Sequence, residues 1–361
     1  MKYPALLPIA DVLPSLDDYD SIIDVRSPSE FAEDHIPGAI NCPVLDDAER
    51  AEIGTLYKQV SPFDAKKRGA ALVSRNIGRH IESALLDKPR DWKPLIYCWR
   101  GGNRSGAMAH VLARIGWPAI QLDGGYKEYR RQVNLVLAEL PARLEFIVVC
   151  GTTGSGKSRL LQTLARHGAQ VLDLEQLAAH RGSVLGHLPS EPQPSQKMFE
   201  SRLWQEMRHF DPARPVYIES ESKKVGNLRV PDALMDRMRA SECVSVQLSQ
   251  HDRVALLMED YAHFVDAPSA LNAQLDCLTV RYGKETISRW QQMALRGEME
   301  ALVEELLAEH YDPAYLKSIE RNFSRFAQAA TLEITGVSAE AFDDAAKRLL
   351  EAESATKIGA D

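Results

Sequence analysis

The residues best suited to chemistry in this sequence lie in a loop that begins with a cysteine. Cys98 follows an apolar run at 95–97 that is typical of a buried parallel strand, and the apolar spacing from Ser105 onward predicts a helix. Glycines between these elements let backbone N–H groups point inward beside a helix N-terminus, which attracts negative charge. We call residues 98–105 the cysteine loop and interpret it as an anion site around a thiolate nucleophile. Its anion-binding residues are expected to be Arg100, Gly101, Gly102, Asn103, Arg104 and Ser105.

A second candidate site is a glycine-rich segment that matches the phosphate-binding pattern G-x4-G-K-[ST] at every fixed position. We call it the P-loop, and it comprises Gly151, Thr152, Thr153, Gly154, Ser155, Gly156, Lys157 and Ser158. An apolar run at 146–150 predicts the preceding strand, and residues 159–167 predict the following helix. The loop N–H groups would hold a diphosphate and Lys157 would neutralise it. The Ser158 hydroxyl would ligate Mg²⁺, and no other metal ligand is predicted.

A cluster of mixed charge follows another predicted strand, at 215–219. It consists of Glu219, Glu221, Ser222 and Lys224. Because the carboxyl ends of parallel strands meet at one edge of a sheet, this cluster is expected beside the P-loop as part of a second site. A solvated turn is the alternative interpretation.

The elements that position these sites alternate between strands and helices. This alternation predicts an α/β fold with parallel sheets covered on both faces. A chain of 361 residues exceeds one typical core, so we expect two domains, 1–137 and 138–361. The second would have its core at about 143–250 and a mostly helical part at 251–361.

Two polar features of the first domain are interpreted as structural. Asp24 and Arg26 end a short apolar strand, where their opposite charges can pair and hold the next loop. His35 precedes a Pro-Gly turn, where a histidine is more often a satisfied hydrogen-bonding group than a catalytic base, so we leave it out of the site.

The formal net charge of -8 excludes a global basic field, so a nucleic-acid partner would need a local basic patch. Candidates for that patch are Lys223, Lys224, Arg281, Lys284 and Arg289. The helix that begins at 284 mixes such bases with Trp290, a pattern that fits either a nucleic-acid face or a solvated helix surface.

Five widely spaced cysteines without a CxxC pair indicate a reducing compartment rather than a disulfide framework. The first residues are interrupted by prolines, unlike a signal peptide, and no apolar run approaches membrane-spanning length. We therefore expect a cytoplasmic protein without a membrane partner. The sequence does not determine the oligomeric state, and a monomer is compatible with it.

About the first 135 residues resemble a rhodanese domain. The matching stretches, in order, are Asp24-Val25-Arg26, Glu30-Phe31, His35-Ile36-Pro37-Gly38-Ala39-Ile40-Asn41, the cysteine loop and Leu122-Asp123-Gly124-Gly125-Tyr126. Rhodaneses carry sulfur or selenium on the loop cysteine, which here is Cys98. The interval from Cys98 to Arg104 also has the C-x5-R spacing of cysteine phosphatases, and this longer loop suits a group containing phosphorus or selenium.

A rhodanese-like domain followed by a P-loop domain resembles the tRNA 2-selenouridine synthase family over nearly the whole chain. Further stretches that support this resemblance are Asp173-Leu174-Glu175, His180-Arg181-Gly182-Ser183, 218–226 and His310-Tyr311-Asp312-Pro313. The resemblance implies exchange of sulfur for selenium at C2 of the wobble 2-thiouridine of tRNA, with selenophosphate as the donor. It also implies an S-geranyl-2-thiouridine intermediate that is made from geranyl diphosphate.

In that chemistry Cys98 takes part in selenium delivery, and Arg104 with the loop amides holds the selenophosphate anion. Lys157 and the P-loop amides stabilise the diphosphate that leaves geranyl diphosphate. The expected partners are therefore tRNA, selenophosphate and geranyl diphosphate, with Mg²⁺ as a further candidate. A P-loop identifies phosphates and not what carries them, so ATP is an alternative ligand.

Two other functions are compatible with the same motifs. The first is a rhodanese-type sulfurtransferase or C-x5-R phosphatase fused to an ATP-using kinase-like domain, which would release phosphate from a simple phosphoester. The second is a nucleotide-regulated binding module in which the rhodanese fold only recognises a partner. Inactive rhodanese modules commonly lack the cysteine, so the intact loop at Cys98 disfavours the second function.

Overall fold

The structure is a computed structural model that describes residues 3–183, 185–188 and 191–358. These residues form two compact units. The first unit extends to Val136 and also includes Ser195–Gln205, and the second comprises Leu137–Pro194 and the chain from Glu206 onward. Each unit contains a five-stranded sheet in which all neighbouring strands are parallel, so the predicted α/β fold class is confirmed.

The sheet of the first unit has the strand order β1-β5-β4-β2-β3. Its strands are β1 (Ala5–Leu7), β2 (Ser21–Asp24), β3 (Ile40–Asn41), β4 (Pro94–Tyr97) and β5 (Ile120–Leu122). Strand β4 is central and buried along its whole length, as its apolar run predicts. The residue that follows β4 is Cys98, which therefore lies at the carboxyl edge of the sheet.

Six helices accompany this sheet: α1 (Ile9–Val12), α2 (Pro28–Glu33), α3 (Asp47–Gln59), α4 (Pro62–His80), α5 (Asn103–Ile115) and α6 (Gly125–Glu139). Helix α2 begins with a capping box formed by Ser27 and Glu30 and has proline in its first turn. The stretch between β3 and β4 forms α3, α4 and a short π-helix at Ile81–Leu85. Trp92 and Trp117 pack edge to face in the core beneath α4 and α5.

The sheet of the second unit has the strand order β12-β11-β6-β8-β7. These strands are β6 (Phe146–Cys150), β7 (Gln170–Leu172), β8 (Val216–Glu219), β11 (Glu242–Gln247) and β12 (Ala330–Glu333), and β9 (Lys224–Val225) and β10 (Leu228–Arg229) form a separate hairpin. Strand β6 is central, with the next strand along the chain at one edge and later strands on its other side. The strand order therefore reverses at β6, and open α/β sheets bind ligands in the crevice at the carboxyl ends of the strands where such a reversal occurs.

The helices that follow α6 are α7 (Lys157–Arg166), α8 (Leu174–Leu177), α9 (Gln196–Met207), α10 (Asp232–Arg239), α11 (Gln250–Asp260), α12 (Ala262–Asp266), α13 (Pro268–Leu275), α14 (Thr279–Leu295), α15 (Met299–Leu306), α16 (Asp312–Asn322) and α17 (Ala339–Ile358). Helices α7 and α17 share one core with the sheet, whereas α12 to α15 surround a second core around Trp290. The C-terminal part is mostly helical, as predicted, apart from strand β12. No helix among the described residues is both long and apolar enough to cross a membrane.

Candidate functional site

The cysteine loop joins β4 to α5, in the predicted order of strand, cysteine, loop and helix. Cys98 is 4% exposed, and its side chain belongs to the core of the first unit. Gly102 has a φ of 77° and turns the chain into the first turn of α5. A Cβ atom at Gly102 would also lie 2.4 Å from the Gln121 amide nitrogen, so glycine is required for two reasons.

A buried serine contacts the thiol of Cys98. Ser105 Oγ lies 3.3 Å from Cys98 Sγ, to which it can donate its proton. Gln121 Nε2 donates to Ser105 Oγ at 3.2 Å and to the Gly102 carbonyl at 3.1 Å, and these bonds position the hydroxyl. A hydroxyl that donates to the sulfur stabilises the thiolate, because it places a positive dipole against the charge. Ser105, expected as an anion ligand, thus contacts the sulfur itself, and Gln121 is a contact that sequence analysis missed.

Arg104 is held beside the cysteine loop by a carboxylate. Its Nη1 donates to Glu30 Oε2 at 3.1 Å, and both side chains are largely buried. Burial alone would raise the pKa of Glu30, but the charge and hydrogen bond of Arg104 outweigh it, and the pKa is lowered. Because Glu30 also caps α2, Arg104 has a defined position. Arg100 and Asn103 are exposed and face solvent.

The predicted pairing of Asp24 with Arg26 is confirmed. Arg26 Nε donates to Asp24 Oδ2 at 2.9 Å, and Nη2 donates to the Asp34 carbonyl at 2.6 Å, with all three residues buried. His35 stacks on Phe31, and its Nδ1 lies 2.9 Å from the Phe31 carbonyl oxygen. These contacts hold the loop after β2, as expected for structural residues.

The P-loop joins β6 to α7 in the second unit. Gly156 has a φ of 81°, and a Cβ atom there would lie 2.6 Å from the Phe342 ring of α17, so a larger residue does not fit. Lys157 Nζ donates to the Gly151 carbonyl at 2.6 Å and lies 5.4 Å from the centre of the Tyr315 ring. Its ammonium group is therefore folded over the loop, where it can meet a bound phosphate.

Carboxylates surround the Ser158 end of the P-loop. Ser158 Oγ donates to Glu175 Oε2 at 3.0 Å, and the Glu175 N–H donates to Glu219 Oε1 at 2.8 Å. Glu219 is 1% exposed, and its Oε2 has no hydrogen-bond partner in the described part of the chain. Burial, and then the charges of the neighbouring acids, raise the pKa of Glu219 well above its usual value.

The predicted second-site residues do not all share one location. Glu221 and Ser222 line the same cavity as the P-loop, and Glu219 lies behind Glu175. Lys224 lies in the β9–β10 hairpin, its side chain is exposed, and it is not among the described residues that line this cavity. Burial, and then the charge of Glu175, raise the pKa of Glu221 to about 8.

Sequence analysis missed two groups that brace the P-loop. Arg253 of α11 donates from Nε to the Thr153 carbonyl at 3.0 Å and forms an ion pair with Asp312 at 2.6 Å. The Tyr315 hydroxyl of α16 accepts the Gly151 N–H at 2.6 Å. Asp312 belongs to the 310–313 stretch that supports the family resemblance, which was the available signal. No local pattern marks Arg253 or Tyr315.

A cavity of about 650 Å³ extends from the P-loop. Its lining also includes basic and aromatic side chains, namely Arg181, Tyr261, Arg281, His310 and Tyr311. The Arg181 guanidinium lies 4.8 Å from the centre of the Tyr261 ring. Side chains of these kinds can contact a planar or an anionic group.

An apolar pocket adjoins this cavity. The two share Thr153, Leu257, Tyr261 and Tyr311, and the remaining lining of the pocket is entirely aliphatic, aromatic or methionine side chains. The free space in the pocket is about 50 Å³, so a long hydrocarbon enters only when the flexible leucine and methionine side chains move. The pocket therefore places apolar surface directly beside the P-loop.

The candidate RNA-binding bases differ in their surroundings. Lys223 pairs with Asp232 at 2.8 Å, and Arg289 pairs with Glu305 at 2.7 Å. Trp290 is fully buried and donates from Nε1 to Glu305 at 2.9 Å, so it is part of the helical core and neither a nucleic-acid face nor a solvated surface. Lys224, Arg281 and Lys284 are exposed, and no ion pair with an acid engages them within the described residues.

Comparison with known protein families identifies both units. Residues 144–340 match the model described as the tRNA 2-selenouridine synthase AAA domain, which covers more than half of the chain. Residues 10–132 match the rhodanese-like domain model.

Similar proteins named tRNA 2-selenouridine synthase occur in several bacteria. The Bdellovibrio bacteriovorus protein is 32% identical in a 348-position alignment that covers 83% of this chain and 89% of that protein. The Marinobacter nauticus protein is 31% identical over 342 residues, covering 84% of this chain and 91% of that protein. The Nitrosomonas europaea protein is 37% identical over 247 residues, and this match spans 66% of the chain but 63% of the relative, less than two thirds of its length.

Proposed function

The chain belongs to the tRNA 2-selenouridine synthase family, and we propose that it replaces sulfur by selenium at C2 of the wobble 2-thiouridine of tRNA. In this proposal selenophosphate donates the selenium, and an S-geranyl-2-thiouridine intermediate is first made from geranyl diphosphate. The two chemical steps use the two centres described above, the P-loop for geranylation and the cysteine loop for selenium transfer.

The observation that carries the proposal is the apolar pocket beside the P-loop. A prenyl diphosphate has a doubly charged head and a hydrocarbon tail, and the second unit offers a phosphate loop and an apolar pocket that share Thr153 and Leu257. A nucleotide would instead put a polar ribose beside these apolar walls. The junction therefore favours geranyl diphosphate over ATP as the P-loop ligand.

Geranylation would convert the C2 sulfur of 2-thiouridine into a better leaving group. Sulfur bound as a thiocarbonyl leaves poorly, whereas an S-alkyl group departs as a neutral thiol. The allylic carbon of geranyl diphosphate develops positive charge as its C–O bond breaks, and the departing diphosphate develops negative charge. In this proposal Lys157, whose ammonium group lies over the loop, and the P-loop N–H groups stabilise that anion.

Selenium transfer is assigned to the cysteine loop. Ser105 donates toward Cys98 Sγ, and the N-terminus of α5 points at the same loop, so both the thiolate and a bound anion are stabilised there. Arg104, oriented by Glu30, and the exposed Arg100 would hold selenophosphate.

A magnesium ion fits the P-loop in part. Ser158 Oγ and Glu175 Oε2, 3.0 Å apart, are oxygen ligands of the kind that Mg²⁺ prefers. No group of three or more His, Cys, Asp or Glu residues in the described ranges is arranged to hold a metal, so phosphate oxygens and water would complete the coordination. When bound, the ion would neutralise charge on the diphosphate.

Nucleoside mass spectrometry tests the proposal directly. tRNA containing 2-thiouridine is incubated with the full chain and geranyl diphosphate, and selenophosphate is then added. We expect S-geranyl-2-thiouridine in the first stage and 2-selenouridine in the second. Selenouridine that forms only with ATP, at the same rate with or without geranyl diphosphate, would contradict the geranyl route and favour a nucleotide in the P-loop.

A further inference from the structure

The inference below rests on the proposed geranylation and concerns the proton that this step must release. In 2-thiouridine the C2 sulfur is a thiocarbonyl and N3 carries hydrogen. When sulfur forms a bond to carbon, the N3 lone pair forms a double bond to C2, and the N3 proton must leave. The cavity beside the P-loop should therefore contain a neutral base near the apolar pocket.

His310 lies at the required place. It lines the P-loop cavity, it is 5% exposed, and its ring centre lies 4.6 Å from that of Tyr311. Tyr311 lines both the cavity and the apolar pocket, so His310 is next to the junction where the allylic carbon would lie. His310 belongs to a π-helix at Leu307–Tyr311, a rare local geometry that is often found at functional sites.

A neighbouring tyrosine orients the imidazole. Tyr282 Oη lies 2.9 Å from His310 Nδ1 and 3.3 Å from the Glu309 carbonyl oxygen. The Glu309 carbonyl can only accept, so in the arrangement that satisfies both contacts the tyrosine donates its proton to Glu309 and His310 Nδ1–H donates to Tyr282 Oη. This tautomer leaves the Nε2 lone pair available, and no hydrogen bond from the described residues engages it.

The charges around His310 keep it neutral. Burial, and then the nearby Arg281 charge, lower the pKa of His310 below the usual histidine range. The other ionisable groups against it are Tyr282 of α14, and Glu309 and Tyr311 of its own segment. Glu309 is drawn toward Arg289 at 3.5 Å, which offsets its charge.

We propose that His310 is the general base of geranylation and that Tyr282 is a positioning residue for it. The C2 sulfur attacks C1 of geranyl diphosphate, and the C1–O bond breaks with its electron pair going to the diphosphate. The N3 proton moves to His310 Nε2 while the N3–C2 double bond forms. The products are S-geranyl-2-thiouridine, diphosphate and a protonated His310, which later returns its proton to water.

The pH dependence of geranylation by the full chain tests this assignment. Wild-type rates should fall at low pH, because protonation removes the Nε2 lone pair. We expect His310→Gln to lose about a hundredfold or more at neutral pH and to recover as pH rises, because solvent base then removes the N3 proton. Tyr282→Phe should show a smaller loss. The exposed His251, which is outside the cavity lining among the described residues, supplies the control His251→Gln with a wild-type profile.

A second substrate separates catalysis from folding. tRNA that is supplied already geranylated needs no proton removal, so His310→Gln should still convert it to 2-selenouridine. A variant that geranylates like wild type at every pH would overturn the assignment, and so would an equal loss on both substrates, which would make His310 structural. If wild-type protein forms no S-geranyl product, the proposed function fails, and that result is distinct from a failure of the base.

Discussion

At the scale of single residues, both loops contain a reactive or charged group that one or two hydrogen bonds hold in position. Ser105 and Gln121 form a short chain of hydrogen bonds that ends at the Cys98 sulfur. Lys157 instead bonds to the Gly151 carbonyl, which keeps its ammonium over the loop until a phosphate competes for it. The first arrangement stabilises an anion on the protein, and the second holds a cation ready for a ligand.

Replacing the loop thiol should separate the two chemical steps. Cys98→Ser preserves the shape of the side chain but supplies a hydroxyl that is not ionised at neutral pH. We expect loss of 2-selenouridine while S-geranyl-2-thiouridine persists or accumulates, as measured by nucleoside mass spectrometry. Cys277→Ser, at an exposed free cysteine, is the matched control and should behave like wild type. Full selenouridine formation by Cys98→Ser would rule out a selenium-carrying role for this thiol.

Removing the P-loop lysine should affect only the first step. Loss of one preorganised charge contact to a developing anion costs on the order of 3 kcal/mol, or about a hundredfold in rate. Lys157→Ala should therefore fail on 2-thiouridine tRNA yet convert tRNA supplied already geranylated. Failure on both substrates, with a wild-type requirement for ATP, would instead indicate nucleotide-driven selenium transfer. Wild-type rates on 2-thiouridine tRNA would remove the P-loop from the mechanism.

At the scale of elements, the ends of parallel strands bring acids together beside the phosphate site. Glu219 ends β8, Glu221 follows it, and Glu175 begins the short helix after β7. Strands β7 and β8 are neighbours, so their carboxyl ends bring these three residues close enough for their charges to interact. A carboxyl group that is buried beside other acids is harder to ionise, because its charge would lose water and be repelled by its neighbours. Burial and this repulsion therefore raise the pKa of Glu219 and Glu221.

This cluster predicts that diphosphate binding weakens in alkaline solution. The pKa of Glu221 is raised to about 8, so its carboxyl group is mostly neutral at pH 7 and becomes an anion beside the P-loop above pH 8. Because the folded pKa exceeds the ordinary value of 4.5, Glu221 also lowers the stability of the fold as pH rises from about 4.5 through 8.

Glu221→Gln should remove both effects. Calorimetric titration with inorganic diphosphate at pH 7 and pH 9 should show weaker binding at pH 9 for wild type, and a smaller change for the variant. Comparing the two proteins cancels the ionisation of diphosphate itself. Identical pH dependence in the two proteins would mean that Glu221 does not titrate in this range.

At the scale of the whole molecule, an acidic chain must bind a polyanion through local bases. The net charge is -8, and two of the five candidate bases, Lys223 and Arg289, are already paired with acids. Arg281 and Lys284 are exposed, and Arg281 lines the P-loop cavity. Lys224, Arg281 and Lys284 therefore remain as the candidates that no ion pair with an acid engages within the described residues.

Salt dependence of tRNA binding tests this patch. Each phosphate contact should contribute about 0.7 to 0.9 to the slope of log affinity against log salt, because it releases counterions. Arg281→Ala and Lys284→Ala should each reduce the slope by nearly one contact, whereas Arg289→Ala, whose partner is Glu305, should leave it unchanged. Slopes that fall equally in all three variants would contradict this choice of contacts.

Sequence by itself determined the two loops, with the elements on either side of them, and the fold class of this protein. The cysteine loop and the P-loop are each formed by consecutive residues, and the strand before and the helix after each loop follow from local apolar patterns. The pairing of Asp24 with Arg26 was also predictable, because only one residue lies between them at the end of a strand. Local chemistry of this kind depends on neighbours in the chain, which a sequence shows directly.

Tertiary structure alone decided what surrounds those loops. Arg253 contacts Thr153 across 100 positions, and Tyr315 contacts Gly151 across 164. The burial of Trp290, the position of His310 and the inclusion of Ser195–Gln205 in the first unit likewise depend on how distant segments pack. Such contacts are selected by the burial of whole helix faces, and no short pattern of residues specifies which distant partner a polar side chain will meet.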